Sequence, residues 1–175
     1  SEREEIAKTV RKLSREMKET LKKITEEARR LSEEVKRALK KIVDDLRELM
    51  KDVKRIVESG DRSDKVLRDA RELVKRIVER LEELHERHRK LIEEIKKKLE
   101  DLHRTHRRLI EDVERKLKDD KDLKKELEDV DRELADTIRR VEEELKKVNE
   151  ELRKRVEDVR EEAERALREL EERVR

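Results

Sequence analysis

Phenylalanine, tyrosine, tryptophan, proline and cysteine are all missing from the 175 residues, and glycine occurs once. Without cysteine, the redox compartment leaves no mark on the chain. Without aromatic rings, there is no platform on which nucleic-acid bases could stack. No apolar run approaches the ~20 residues of a membrane span, and the opening SEREEIAKTV does not read as a signal peptide. A charge excess is also missing. Lysine plus arginine number 53 and aspartate plus glutamate 51, a balance of +2, so nothing draws the chain generally toward nucleic acid or an anionic membrane.

Charged residues make up 59% of the chain and apolar ones 31%, numbers that usually accompany disorder. Here the apolar residues are strictly periodic, and most of the polar ones are Glu, Lys and Arg, good helix formers. So few apolar residues cannot fill a wide core. They do suffice for a thin bundle in which each helix buries one stripe.

The first stripe runs Ile6, Val10, Leu13, Met17, Leu21, Ile24, Ala28 and on to Ile56, in steps of three and four. Ile6, Ile24 and Ile42 are one position in an 18-residue cycle, which is five whole helical turns. The second stripe includes Ala70, Leu73, Ile77, Leu81, Leu84, Leu91, Ile95, Leu99 and Leu102. The third runs from Leu123 to Val174, and Leu123, Val141 and Val159 again step by 18. Ser1 with Glu4 reads as a capping box. Gly60 fits a left-handed residue just past a helix end, with Asp61 or Ser63 to cap the second helix. Asp119-Asp120-Lys121-Asp122 reads as a second turn. The spacing therefore predicts an all-α fold: a long, nearly straight, antiparallel three-helix bundle, up-down-up, with an 18-residue repeat within each helix. Residues 1–175 are read as a single bundle with helices over about 2–58, 63–118 and 122–175.

All four histidines lie in LHERHRKLIEEIKKKLEDLHRTHRRL as two HxxH pairs, His85 with His88 and His103 with His106, offset by 18 residues. Both pairs return to one face of one helix. His88 and His106 fall near the middle of the apolar arc, His85 and His103 toward its edge. Folding at the two turns brings His106 near Ser14, His88 near Ser32, His103 level with Thr137, and Asn149 within about a turn of His88. An unpartnered buried imidazole costs of order 2–7 kcal/mol, and hydroxyls and amides at the same heights are what a satisfied network requires. The expectation is two copies of one buried hydrogen-bond layer fixing helix pairing and register. The plainer alternative leaves His85 and His103 solvated, with His88 and His106 simply tucked in.

Other chemistries fare less well. A closed zinc site takes four ligands and an open one at least three, and no Asp or Glu is read inside the stripe, so neither metal nor cofactor is expected. Ser14 or Ser32 beside a histidine lacks an evident oxyanion hole or pocket. The basic run 103–108 is flanked by acids and reads as a solvated face. Val43, Met50 and Val57 on the first helix and Val74, Ile92 and Ile110 on the second widen their stripes. They either seal the bundle's seam, the favoured reading, or form a groove for a partner helix or a second copy.

With its 18-residue cycle, Glu/Lys/Arg surface, turns ESGDRSD and KDDKD and missing aromatics, the chain resembles the de novo designed, parametrically generated helical bundles with buried hydrogen-bond networks. That resemblance implies a non-catalytic scaffold requiring no partner. Some bundles of that group bury histidines so that acid opens them, in which case His85, His88, His103 and His106 would be the switch. Those bundles are usually symmetric oligomers of hairpins, whereas this chain can close on itself. Spectrin-like three-helix repeats are similar in outline but carry core aromatics.

Overall fold

The computed structural model describes residues 1–60 and 64–174. Three helices account for nearly all of them: α1 (Glu2–Glu58), α2 (Asp64–Lys116) and α3 (Lys121–Val174). Each starts and stops for local reasons. The Ser1 hydroxyl accepts a hydrogen bond from the Glu4 amide at 3.4 Å, satisfying one of the amides that a helix N-terminus leaves free. At the end of α1, the Ser59 amide reaches back to the Arg55 carbonyl (3.0 Å) and the Gly60 amide to Val57 (3.2 Å). Gly60 has φ of +108°, a region costly for any residue with a Cβ. Asp120 caps α3 by accepting from the Leu123 amide at 3.1 Å. The cap candidates Asp61 and Ser63 lie outside the described residues.

The contacts gather into two compact units, residues 1–31 with 91–146 and residues 32–90 with 147–175. In the first unit, Ala7, Val10, Ile110, Val113, Leu117, Leu123 and Leu127 form a core against which Ile6 and Leu109 pack. Ion pairs report the helix directions there. Arg11 meets Glu126 and Lys18 meets Glu133, both at 2.8 Å, so numbers rise together along α1 and α3. Lys98 with Glu27 (3.2 Å) and Lys124 with Glu114 (3.3 Å) show α2 running the other way. These pairs are about half exposed, worth at most about 1 kcal/mol each. They mark register more than they supply stability. Apolar burial contributes more: Leu123 and Leu134 are wholly inaccessible, each worth roughly 1.5–3 kcal/mol.

In the second unit, Val53, Val57, Leu67, Ala70 and Leu170 form the core, with Leu49, Met50, Val66, Leu167 and Val174 packed against it. Arg80–Asp45 and Arg173–Glu58 repeat the same directions at 3.4 and 3.3 Å, and Arg71–Glu171 and Arg160–Glu82 tie α2 to α3. The fold is thus an all-α three-helix bundle.

The stripe-widening residues are buried within their units: Val43, Val57, Val74, Ile92 and Ile110 are all under 9% exposed, while Met50 is half-buried. Leu13, Ile56 and Leu73 belong to the periodic stripes yet are 38%, 44% and 41% exposed. They sit at the stripe margins, where helical spacing alone does not decide burial.

Replacing Gly60 with alanine should destabilise the protein by about 1 kcal/mol or more, because the left-handed backbone opposes the new Cβ although nothing lies within 4 Å to clash with it. Urea unfolding of the parent and Gly60→Ala measures this directly, and an unchanged midpoint would mean that the turn relaxes freely.

Candidate functional site: two histidine layers

Helical spacing puts His103 and His106 on successive turns of one α2 face. In the first unit that face meets α1 and α3 through polar atoms. The Ser14 hydroxyl lies 2.9 Å from His106 Nε2, and His106 Nδ1 lies 3.1 Å from an Asp131 carboxylate oxygen. Since a carboxylate can only accept, Nδ1 carries a proton, and in the neutral ring Nε2 accepts from the serine. The result is a chain of donation from α1 through α2 to α3. Ser14, His106 and Asp131 are 3%, 0% and 7% exposed. His103 Nε2 (3.3 Å) and Arg107 (3.0 Å) also donate to Asp131, so three α2 side chains converge on one α3 carboxylate. Burial pushes the Asp131 carboxyl up, but the hydrogen bonds from His106 and His103 outweigh it and hold the group below the ordinary carboxylate range.

The second unit repeats this layer with a change. His88, 1% exposed, turns Nδ1 to the Asn149 amide oxygen at 3.3 Å. Asn149 lies 18 residues after Asp131, so an amide stands where the first layer has a carboxylate. The Ser14 counterpart, Ser32, is half-buried and does not reach His88. The Nε2 atoms of both His88 and His85 are buried without a hydrogen-bond partner. Burial pushes the His88 imidazole below its usual value, the Asn149 hydrogen bond opposes this, and the neighbouring His85 adds to it.

The structure therefore joins Ser14 to His106 and His88 to Asn149, and leaves two expected residues out. Thr137 receives a hydrogen bond from Arg140 at 3.5 Å, not from His103; on a helical wheel it falls on the opposite margin of the α3 stripe from Asn149. Ser32 is at the right position but makes no bond to His88. The acid that sequence reasoning missed is Asp131, which corrects the view that no Asp or Glu falls inside the stripes. Stepping back 18 residues from Asn149 would have found it.

Ser14, His106 and Asp131 have the connectivity of a Ser-His-Asp triad. Reactivity requires more. Ser14 is in mid-helix, where the surrounding amides are committed to helical carbonyls, leaving no donors for an oxyanion, and its hydroxyl is buried. The arrangement links one side chain from each of the three helices. Among the described residues, no three His, Cys, Asp or Glu side chains gather as a metal site, and no helix is long and apolar enough to cross a membrane.

This geometry allows the fold to be placed among known proteins. No protein-family model matches the chain, and no curated protein does. Among solved structures, the chain is similar to a "Computationally designed three helix bundle", with a TM-score of 0.59 and 20% identity over 98% of this chain and 89% of the other. That likeness concerns the fold.

A fluorophosphonate probe should leave Ser14 unlabelled in the folded protein after prolonged incubation, read by intact mass. Stoichiometric labelling of Ser14 would contradict the view that the triad-like chain is closed to substrates.

Proposed function

We propose that the chain is a non-catalytic scaffold of the designed type, residues 1–175 acting as one bundle whose buried polar layers decide which helix faces meet and in what register. One observation carries the proposal: the continuous Ser14–His106–Asp131 hydrogen-bond chain, buried and contributed by all three helices. Apolar stripes are tolerant of sliding and of alternative partners. A buried polar group is not, because every misregistered arrangement strands it at a cost of about 1–3 kcal/mol. The ideal 18-residue cycle and the likeness to a designed bundle support the same reading.

The test uses two variants. Asp131→Ala leaves two histidines and an arginine without their acceptor and should lower stability by roughly 1–3 kcal/mol. Ser14→Ala, His106→Leu and Asp131→Leu together remove the layer and should leave stability equal or higher, while sedimentation shows species absent from the parent. If the triple variant shows the parent's single set of species and equally dispersed spectra, the layer does not specify pairing.

A second reading, a pH-responsive bundle, is favoured by His88. The groups that act on it are His85 on its own helix and Asn149 from α3, and an amide cannot supply a negative charge. A histidine whose folded pKa is depressed stabilises the fold above its unfolded value, about 6.5. That stability is lost as pH falls from there toward the folded value. Asp131 works lower down: its contribution is present above about 3.9 and fades as pH falls toward its depressed folded value. Amide exchange at pH 7.5 and pH 4.5, corrected for intrinsic rates, should show protection lost in residues 32–90 and 147–174 before it is lost in 1–31 and 91–146. Equal protection of both regions at the two pH values would remove the acid-response reading while leaving the scaffold.

A further inference from the structure

The two histidine layers have the same α2 spacing and differ in what their ring nitrogens meet. In the first, His106 Nε2 is occupied by Ser14 and His103 Nε2 by Asp131. In the second, the matching nitrogens of His88 and His85 are buried with no partner. His88 is also oriented by a neighbour: its Nδ1 faces the Asn149 amide oxygen, an acceptor, so the ring proton is on Nδ1 and Nε2 presents a bare lone pair. An imidazole held in this tautomer by a carbonyl-type oxygen behind it is the usual arrangement of a metal-binding histidine.

We propose that His85 and His88 are a two-imidazole chelate, one ligand short of an open zinc site and correspondingly weak, for a first-row transition-metal cation of the kind that prefers nitrogen ligands, with Zn(II) as the probe. Residues three apart on a helix lie on one face, and the charge of His85 is felt at His88. With its proton on Nδ1 toward Asn149, the neutral His88 ring offers Nε2 as a bare lone pair, so the ion displaces no proton from that ligand. His85 as a residue is only half-buried, so a turn of its side chain brings its Nε2 to the surface, where water completes the coordination. The second layer has no buried carboxylate, and the one acid that feels His85, Glu86, is exposed and engaged by Arg89, so the site is weaker than a closed structural zinc site. The first layer is not such a site, since both of its Nε2 atoms already have partners.

The inference is independent of the scaffold reading, because it concerns ion occupancy and not helix pairing. It is tested on the full chain, dialysed against EDTA and titrated with Zn(II) at pH 7.5, with all four imidazoles followed by long-range proton–nitrogen NMR. At one equivalent, the Nε2 resonances of His85 and His88 should shift together while those of His103 and His106 stay in place. His85→Gln, at a half-buried position that tolerates a polar side chain, should weaken binding at least tenfold with helicity unchanged. Either no shift at ten equivalents or parallel shifts at both pairs overturns the proposal: the first means that water satisfies the two nitrogens, the second that the ion is merely adventitious.

Discussion

A buried imidazole has two nitrogens, one a donor and one an acceptor when the ring is neutral, and each must find a complementary atom or lose solvation without return. That constraint bears on His106 and His88, the two imidazoles enclosed in this protein. Leucine, isoleucine and valine supply the bulk of the burial, but such residues are interchangeable in depth along a helix. His106 is not. Its Nδ1 proton requires an acceptor on α3, found in Asp131, and its Nε2 lone pair requires a donor on α1, found in Ser14. One ring thereby contacts both neighbouring helices at once, whereas each surface ion pair joins two helices, is half exposed and is individually weak.

The 18-residue cycle turns this local device into a repeated one, and the repeat makes its variation informative. Asp131 and Asn149 occupy the same position in successive cycles and nearly the same shape, yet one is an anion and the other is not. The first layer holds a carboxylate flanked by two imidazoles and a guanidinium. The second holds an amide in the same place. There the Nε2 atoms of His85 and His88 have no partner. One oxygen-for-nitrogen exchange thus accompanies a different set of contacts in each layer.

Much of the fold was legible in the sequence because it rests on signals that survive without tertiary context. Apolar residues at three- and four-residue steps define helices, Gly60 marks a left-handed turn, and the aspartates around position 120 supply a cap. The turn positions alone placed Ser14 beside His106 and Asn149 near His88. The failures were of a different kind. Asp131 was passed over because an acid among so many acids reads as surface, and only its 18-residue relation to Asn149 separates it. Thr137 was chosen on height without regard to which margin of α3 faces α2. Ser32 had the right periodicity, but whether a hydroxyl reaches a ring nitrogen depends on ångström-scale placement that periodicity does not carry. Leu13, Ile56 and Leu73 show the same limit for apolar residues, since the edge of a stripe is settled by the neighbouring helix.

The most direct test of the central claim is the tautomer of His106 in the intact protein at neutral pH, read from its ring nitrogen shifts by NMR. The hydrogen-bond chain requires a single tautomer with the proton on Nδ1, a slowly exchanging signal for that proton, and an Nε2 shift typical of an accepting lone pair. A solvent-like mixture of tautomers, with no protected ring proton, would contradict it: His106 would then be merely enclosed, and the bonds from Ser14 to Asp131 would not be what fixes the helices.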